Sequence, residues 1–263
     1  MGPVSVKSRS IQSVIAQLHD IGVEHGDVLL VHASFRAVRP IVGGPAGLIE
    51  ALSEAIGPQG TLVMPSWTGD DDRPFDPKAD PANPDLGVVP DIFWRLPGVL
   101  RSDHPFAYAA RGPIAHRILA DGLPLPPMCP ESPAGRVLEC DGRILLLGVD
   151  HDANSSLHLC ELLADVPYRT PKHITVLRDG RPQRIDYAEN DHCCQRFNEA
   201  GDWLKERGLQ RAGPVGDAPS KLMRSRDLVD IVVPRLQREP FAFLHPRGSG
   251  CEECDKTWQS VPN

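Results

Sequence analysis

The sequence predicts an α/β fold in which a mixed, mainly parallel central sheet is flanked by helices. Three observations carry that expectation. A strand, helix, strand order runs from Val28 to Met64, a second apolar run from Ile144 to Val149 leads straight into a helical pattern, and Asp179-Gly180 separates two strand-like segments.

Taken in order, Ile11, Val14, Ile15, Leu18 and Ile21 recur at helical spacing after Ser10, a capping residue, and Gly22 follows them. Val28-Leu29-Leu30-Val31 is a β-rich run, Pro45 to Ile56 places Leu48, Leu52 and Ala55 at helical spacing, and Leu62-Val63-Met64 is apolar again. The connection is short enough for a right-handed parallel crossover. Pro65 to Pro97 is rich in Pro, Asp and Gly and lacks periodicity, which suits a loop on the substrate side.

Ile144-Leu145-Leu146-Leu147-Gly148-Val149 has the continuous apolar character of a strand buried on both faces, and a helix is expected from Ala153 to Ala164. His173 to Leu177 and Gln183 to Tyr187 form a hairpin about Asp179-Gly180, an antiparallel piece joined to the parallel sheet. Two later helices are expected: Asp191 to Arg207 with Gly208 as its stop, and Arg224 to Leu236 with Pro234 marking a kink or an early end. With no internal repeat and no clean linker, residues 1–263 read as one domain.

Composition narrows the function classes. No stretch of about 18 apolar residues occurs and Met1 to Ser10 lacks the apolar centre of a secretory leader, so the cytosol is the expected compartment and no membrane partner is expected. A net charge of −7 argues against nucleic acid, whose phosphates need a basic face, and suits a cationic ligand. Seven cysteines, an odd number, do not make a disulfide framework and read as thiols and metal ligands.

After the Ile144–Val149 strand the chain reads Asp150-His151-Asp152-Ala153-Asn154-Ser155-Ser156-Leu157-His158-Leu159-Cys160-Glu161. His158 and Glu161 stand three apart on a helix, so the carboxylate can fix the imidazole tautomer and stabilise its charged form. A nucleophilic amine is mostly protonated near neutral pH, and a reaction through one needs a general base so placed. The same spacing also suits a surface hydrogen-bonded pair; position beyond the carboxyl end of a buried α/β strand favours catalysis.

His32-Ala33-Ser34-Phe35 follows the first strand, and Gly43-Gly44-Pro45 opens the next helix, whose free N–H groups offer a place for a pyrophosphate as well as ordinary turn chemistry. Asp70, Asp71, Asp72 and Asp76 form one acidic cluster and Asp186, Glu189 and Asp191 a second, attractive to a polyamine or simply solvated. His192-Cys193-Cys194 and Cys251-Glu252-Glu253-Cys254 supply ligands for a closed tetrahedral zinc site that would pin the tail, residues 245–263. Adjacent cysteines cannot easily share one ion, so the preferred set is His192, Cys194, Cys251 and Cys254, with the choice between Cys193 and Cys194 open. Cys129, Cys140 and Cys160 read as packing residues.

Val28 to Arg36, Gly60 to Trp67, Arg101-Ser102-Asp103-His104-Pro105-Phe106 and Gly148 to Glu161 stand in the order of the aminoglycoside 3-N-acetyltransferase family, which the chain resembles over nearly its whole length. Glu189-Asn190-Asp191-His192-Cys193-Cys194 and Gly250-Cys251-Glu252-Glu253-Cys254 resemble its type IV, apramycin-inactivating branch. The resemblance implies the antibiotic N-acetyltransferase fold rather than the GNAT fold, acetyl-CoA as donor, an aminoglycoside as acceptor, His158 as base and Glu161 as its orienting partner. It also implies that Ser34 and the helix entry near Gly44 belong to the coenzyme site and that Asp71 and Glu189 contact ammonium groups; His32, Phe35, Arg36, Gly43, Ser102 and His104 are further candidates for the first set, Asp72 and Asp191 for the second. Ala33 departs from the family's Ser-Ser and puts one hydroxyl contact in doubt. Two rivals are a same-fold acetyltransferase acting on another amine and a zinc-dependent hydrolase, for which the deaminase-type motif is missing.

Overall fold

A computed structural model describes residues 8–120 and 122–261; the first seven residues and the last two of the tail lie outside the described part. Ser10 caps α1 (Ile11–Asp20) by accepting from the Ser13 N–H, as its side-chain chemistry predicts. β1 (Val28–Ala33), α2 (Phe35–Val38), α3 (Gly44–Ile56) and β2 (Thr61–Pro65) follow, with β1 and β2 parallel. Then come α4 (Val88–Phe93), β3 (Leu100–Arg101), β4 (Tyr108–Arg111), α5 (Ala115–Ile118), α6 (Pro133–Glu139) and β5 (Arg143–Leu147). The second half holds α7 (Ser156–Leu163), β6 (Thr170–Arg178), β7 (Arg181–Glu189), α8 (Glu199–Glu206), β8 (Gln210–Val215), β9 (Ala218–Arg224), α9 (Ser225–Arg238) and α10 (Glu252–Trp258).

Seven strands form one sheet in the order β3-β4-β2-β1-β5-β9-β8, parallel at its centre and antiparallel towards both edges. β5 explains why its sequence shows no alternation. Ile144 and Leu146 pack into the core on one face with α7 and α9, while Leu145 and Leu147 pack into the other with α1 and α3.

Three expectations need correction. The hairpin exists, with Asp179 and Gly180 both at positive φ as a tight two-residue turn demands, yet β6 and β7 make a separate two-stranded sheet. The mixed character of the main sheet comes instead from β4, β8 and β9. The helix expected over 191–207 is broken: a turn through Cys194 and a 3-10 segment, Gln195–Asn198, precede α8. α9 runs past Pro234, because Pro234 and Asp230 are exposed and the carbonyl freed one turn back meets water.

Gly148 makes the exit from β5 possible. Its φ of 64° suits a residue without a side chain, and a Cβ there would stand 2.6 Å from that of Ala37. A 3-10 turn, His151–Ala153, then delays α7 to Ser156, later than the expected start at Ala153.

Candidate active site

At the carboxyl ends of β1, β2 and β5, where open α/β sheets bind ligands, lies a cavity of about 400 Å³. His32 and Trp67 reach it from the strand ends, Asn83 and Leu86 from the long loop, His158 from α7, and Glu189 and Asp191 from the end of the hairpin. The turn after β5 aims α7. Asp150 caps the His151 N–H and pairs with Lys221, while buried His151 meets Gln210 Oε1 at 2.7 Å.

His158 exposes 23% of its side chain, and its Nδ1 lies 2.9 Å from Glu161 Oε2. Glu161 is fully buried. Its other oxygen accepts from His192 Nε2 at 2.8 Å and from the Tyr168 hydroxyl. Burial alone would raise the Glu161 carboxyl, but the imidazoles of His192 and His158 outweigh it and bring it down to about 2. One buried carboxylate therefore serves three donors.

The tautomers follow from this pattern. The Cys194 backbone N–H donates to His192 Nδ1 at 3.1 Å, so the His192 proton resides on Nε2 and points at Glu161. Likewise the His158 Nδ1–H donates to Glu161, and Nε2 is directed at the Cys194 sulfur, 3.4 Å away. Burial lowers the His158 imidazole, yet the Cys194 sulfur and the Glu161 carboxylate together hold it well above the usual histidine range.

Glu189 is pushed up to about 7, chiefly by burial. Asp191 forms an ion pair with Lys172 at 2.6 Å, and Asp71 is half-buried with its carboxyl raised mainly by desolvation. Glu189 and Asp191 line the same cavity as His158, whereas Asp71 does not line it. His32 is buried, neutral with its value lowered to about 4 by desolvation and by His151, and its Nε2 has no hydrogen-bond partner.

Of the expected site residues, the cavity brings together His158, His32, Glu189 and Asp191, with Glu161 behind. Others stand elsewhere. Ser102 and His104 do not line this cavity: Ser102 Oγ accepts from the Tyr108 N–H, and His104 uses both nitrogens, accepting from the Phe106 N–H and donating to Pro124 O. The Gly44 N–H is committed to Ile41 O at 3.0 Å and so is no free phosphate donor, and Gly43, Ser34, Phe35 and Arg36 do not line the cavity. Asp72 pairs with His173 at 2.8 Å on the outer surface.

The proposed metal set is also corrected. His192 and Cys194 turn toward Glu161 and His158, and it is Cys193 that joins Cys251 and Cys254. The left-handed backbone of Cys194 (φ 59°) swings consecutive side chains in different directions. Missed altogether were Tyr168, whose hydroxyl only tertiary packing brings to Glu161, and Trp67, Asn83 and Leu86, which no spacing distinguishes.

The family model described as aminoglycoside 3-N-acetyltransferase matches residues 30–237. Aminoglycoside N(3)-acetyltransferase IV of Salmonella sp is 61% identical over 237 residues, covering 90% of this chain and 91% of that protein. A crystal structure of aminoglycoside acetyltransferase AAC(3)-IVa, a histidine-to-alanine variant in complex with a gentamicin, superposes with a TM-score of 0.96 at 58% identity, over 98% of this chain and 100% of that one. AAC-IIIb in a binary complex with CoASH gives a TM-score of 0.81 at 28% identity, over 89% and 98%. The chain belongs to the aminoglycoside 3-N-acetyltransferase family.

Proposed function

We infer that this chain transfers the acetyl group of acetyl-CoA to the 3-amino group of aminoglycoside antibiotics and thereby confers resistance to them. The observation that carries the reading is the His158–Glu161 pair on a cavity that Glu189 and Asp191 also line. Cations are drawn to the acids. The 3-amine is then placed at the base.

In the unliganded site Glu161 and the Cys194 sulfur favour the protonated form of His158. A polycation bound beside it opposes that charge and lowers the pKa, so the ring gives up its proton and becomes a base. Nε2 takes a proton from the acceptor nitrogen, the nitrogen attacks the thioester carbonyl, and the coenzyme A thiolate leaves. Glu161, buried and anionic, stabilises the imidazolium that forms and keeps the ring oriented. Acetyl-CoA and the aminoglycoside are the partners. The cytosol suits a protein whose seven cysteines form no disulfide.

A thiol-release assay with acetyl-CoA and a panel of aminoglycosides tests the reading. Turnover with members bearing a free 3-amine and none with 3-N-blocked analogues is expected; turnover only with unrelated amines would transfer the assignment to another acceptor.

A further inference from the structure

Cys193, Cys251 and Cys254 place their sulfurs within 4.8 Å of one another, and Cys193 Sγ lies 3.6 Å from Cys254 Sγ. Two distant stretches of chain meet there. Cys251 caps α10 and Cys254 follows three residues on, which puts both sulfurs on one side of the helix facing Cys193. A disulfide needs its sulfurs at about 2.05 Å. A tetrahedron with zinc–sulfur arms of about 2.3 Å has edges of about 3.8 Å, close to the observed separation.

We propose that Cys193, Cys251 and Cys254 hold a zinc ion through three thiolates, with the fourth position filled from solvent, and that this ion locks the His192-Cys193-Cys194 segment in place behind the catalytic pair. Among the described residues no fourth His, Cys, Asp or Glu ligand atom joins the three sulfurs. A three-sulfur set is soft and anionic, which selects zinc over magnesium or calcium.

The coupling follows from three consecutive side chains with three destinations. His192 donates to Glu161, Cys193 belongs to the sulfur cluster, and Cys194 meets His158. α10 is tied to the same segment a second time, since the Thr257 hydroxyl donates to the Asp191 carbonyl. Releasing Cys193 from α10 would free the strap at its middle residue. The hydrogen bonds of His192 to Glu161 and of Cys194 N–H to His192 both depend on that stretch.

The ion itself requires no transferase activity for its detection; its influence on catalysis rests on the function proposed above. Metal analysis of the full-length protein purified without chelator should find about one zinc per chain, falling at least fivefold in Cys193→Ser and Cys251→Ser and staying near one in Cys194→Ser. Titrating stripped wild-type protein with cobalt(II) should give thiolate-to-cobalt charge-transfer absorption that saturates at about one equivalent. That measurement needs no variant to fold. Zinc-free wild type without a cobalt signal, or equal zinc loss in Cys194→Ser and Cys193→Ser, overturns the site. Stripping should lower kcat for aminoglycoside acetylation several-fold with little change in KM, and zinc should restore it. If the zinc-free protein binds cobalt at this site yet keeps full kcat without metal, the link to the catalytic pair is wrong and the transferase reading stands.

Discussion

Nε2 of His192 stands 2.8 Å from Oε1 of Glu161, on the opposite side of the carboxylate from His158. The carboxylate is thus a junction between two rings with different tasks. One faces the cavity, and the other turns its remaining nitrogen to the Cys194 backbone.

Removing the cavity-facing ring tests the base directly. His158→Ala should lower kcat by about 10² to 10⁴. Aminoglycoside binding by calorimetry should persist, because the acids that attract the polycation remain. Near-normal turnover at saturating substrate would remove His158 from the mechanism.

Glu161→Gln should act through the base. Loss of a buried negative charge lowers the imidazolium pKa. Activity requires the neutral ring, so the acid limb of the kcat/KM profile moves to lower pH while its maximum falls. A limb that stays in place would mean that another group titrates there.

Tyr168→Phe removes one of three donors to the same carboxylate without changing shape. Leaving a buried charged acceptor short of a partner costs about 1 to 3 kcal/mol. A lower thermal transition is expected, with kcat reduced less than in Glu161→Gln. Unchanged stability would show that the tyrosine's contact is dispensable.

Glu189 gives a pH signature on binding. With its carboxyl at about 7, the group is neutral below that value and anionic above it. If only the anion attracts an ammonium group, affinity should strengthen by about tenfold between roughly pH 6 and pH 8. Glu189→Gln should remove that increment, so comparing the two proteins separates it from titration of the ligand's own amines. The sign for folding is opposite: a carboxyl raised from 4.5 to about 7 loses stability as pH rises through that window. Glu189→Gln should accordingly gain thermal stability relative to wild type at alkaline pH.

Arg101 is the final test. Its guanidinium lies 4.3 Å from the Trp94 ring and 4.8 Å from Phe75, and donates to the Ser66 and Asp80 carbonyls, which fastens the loop that brings Asn83 and Leu86 to the cavity. Arg101→Lys retains the charge but loses the planar stack and the forked donors. KM for the aminoglycoside should rise by about three- to tenfold, with kcat affected less. A rise confined to kcat would place Arg101's effect elsewhere.

The sequence revealed the parts of the fold that depend on local periodicity. The crossover from Val28 to Met64, the buried strand at Ile144 and the Asp179-Gly180 turn each announce themselves by spacing or by turn chemistry. β9 did not, because Lys221 and Arg224 interrupt its apolar residues, and Lys221 serves Asp150 across the site rather than the core. For the same reason His158 and Glu161 were legible as a pair three apart on one helix, whereas Tyr168 and His192 reach that carboxylate only after the chain has folded back. Cys193 and Cys194 could not be told apart in a linear reading, since the distinction lies in one left-handed residue.

The independence of β6 and β7 from the seven-stranded sheet has a consequence for how the antibiotic spectrum of such an enzyme can drift. The ribbon that ends in Glu189 shares no backbone rung with the strands that anchor the imidazole. Mutations that bend or lengthen it can reshape the vestibule for new sugar ring patterns while the proton-transfer machinery stays untouched.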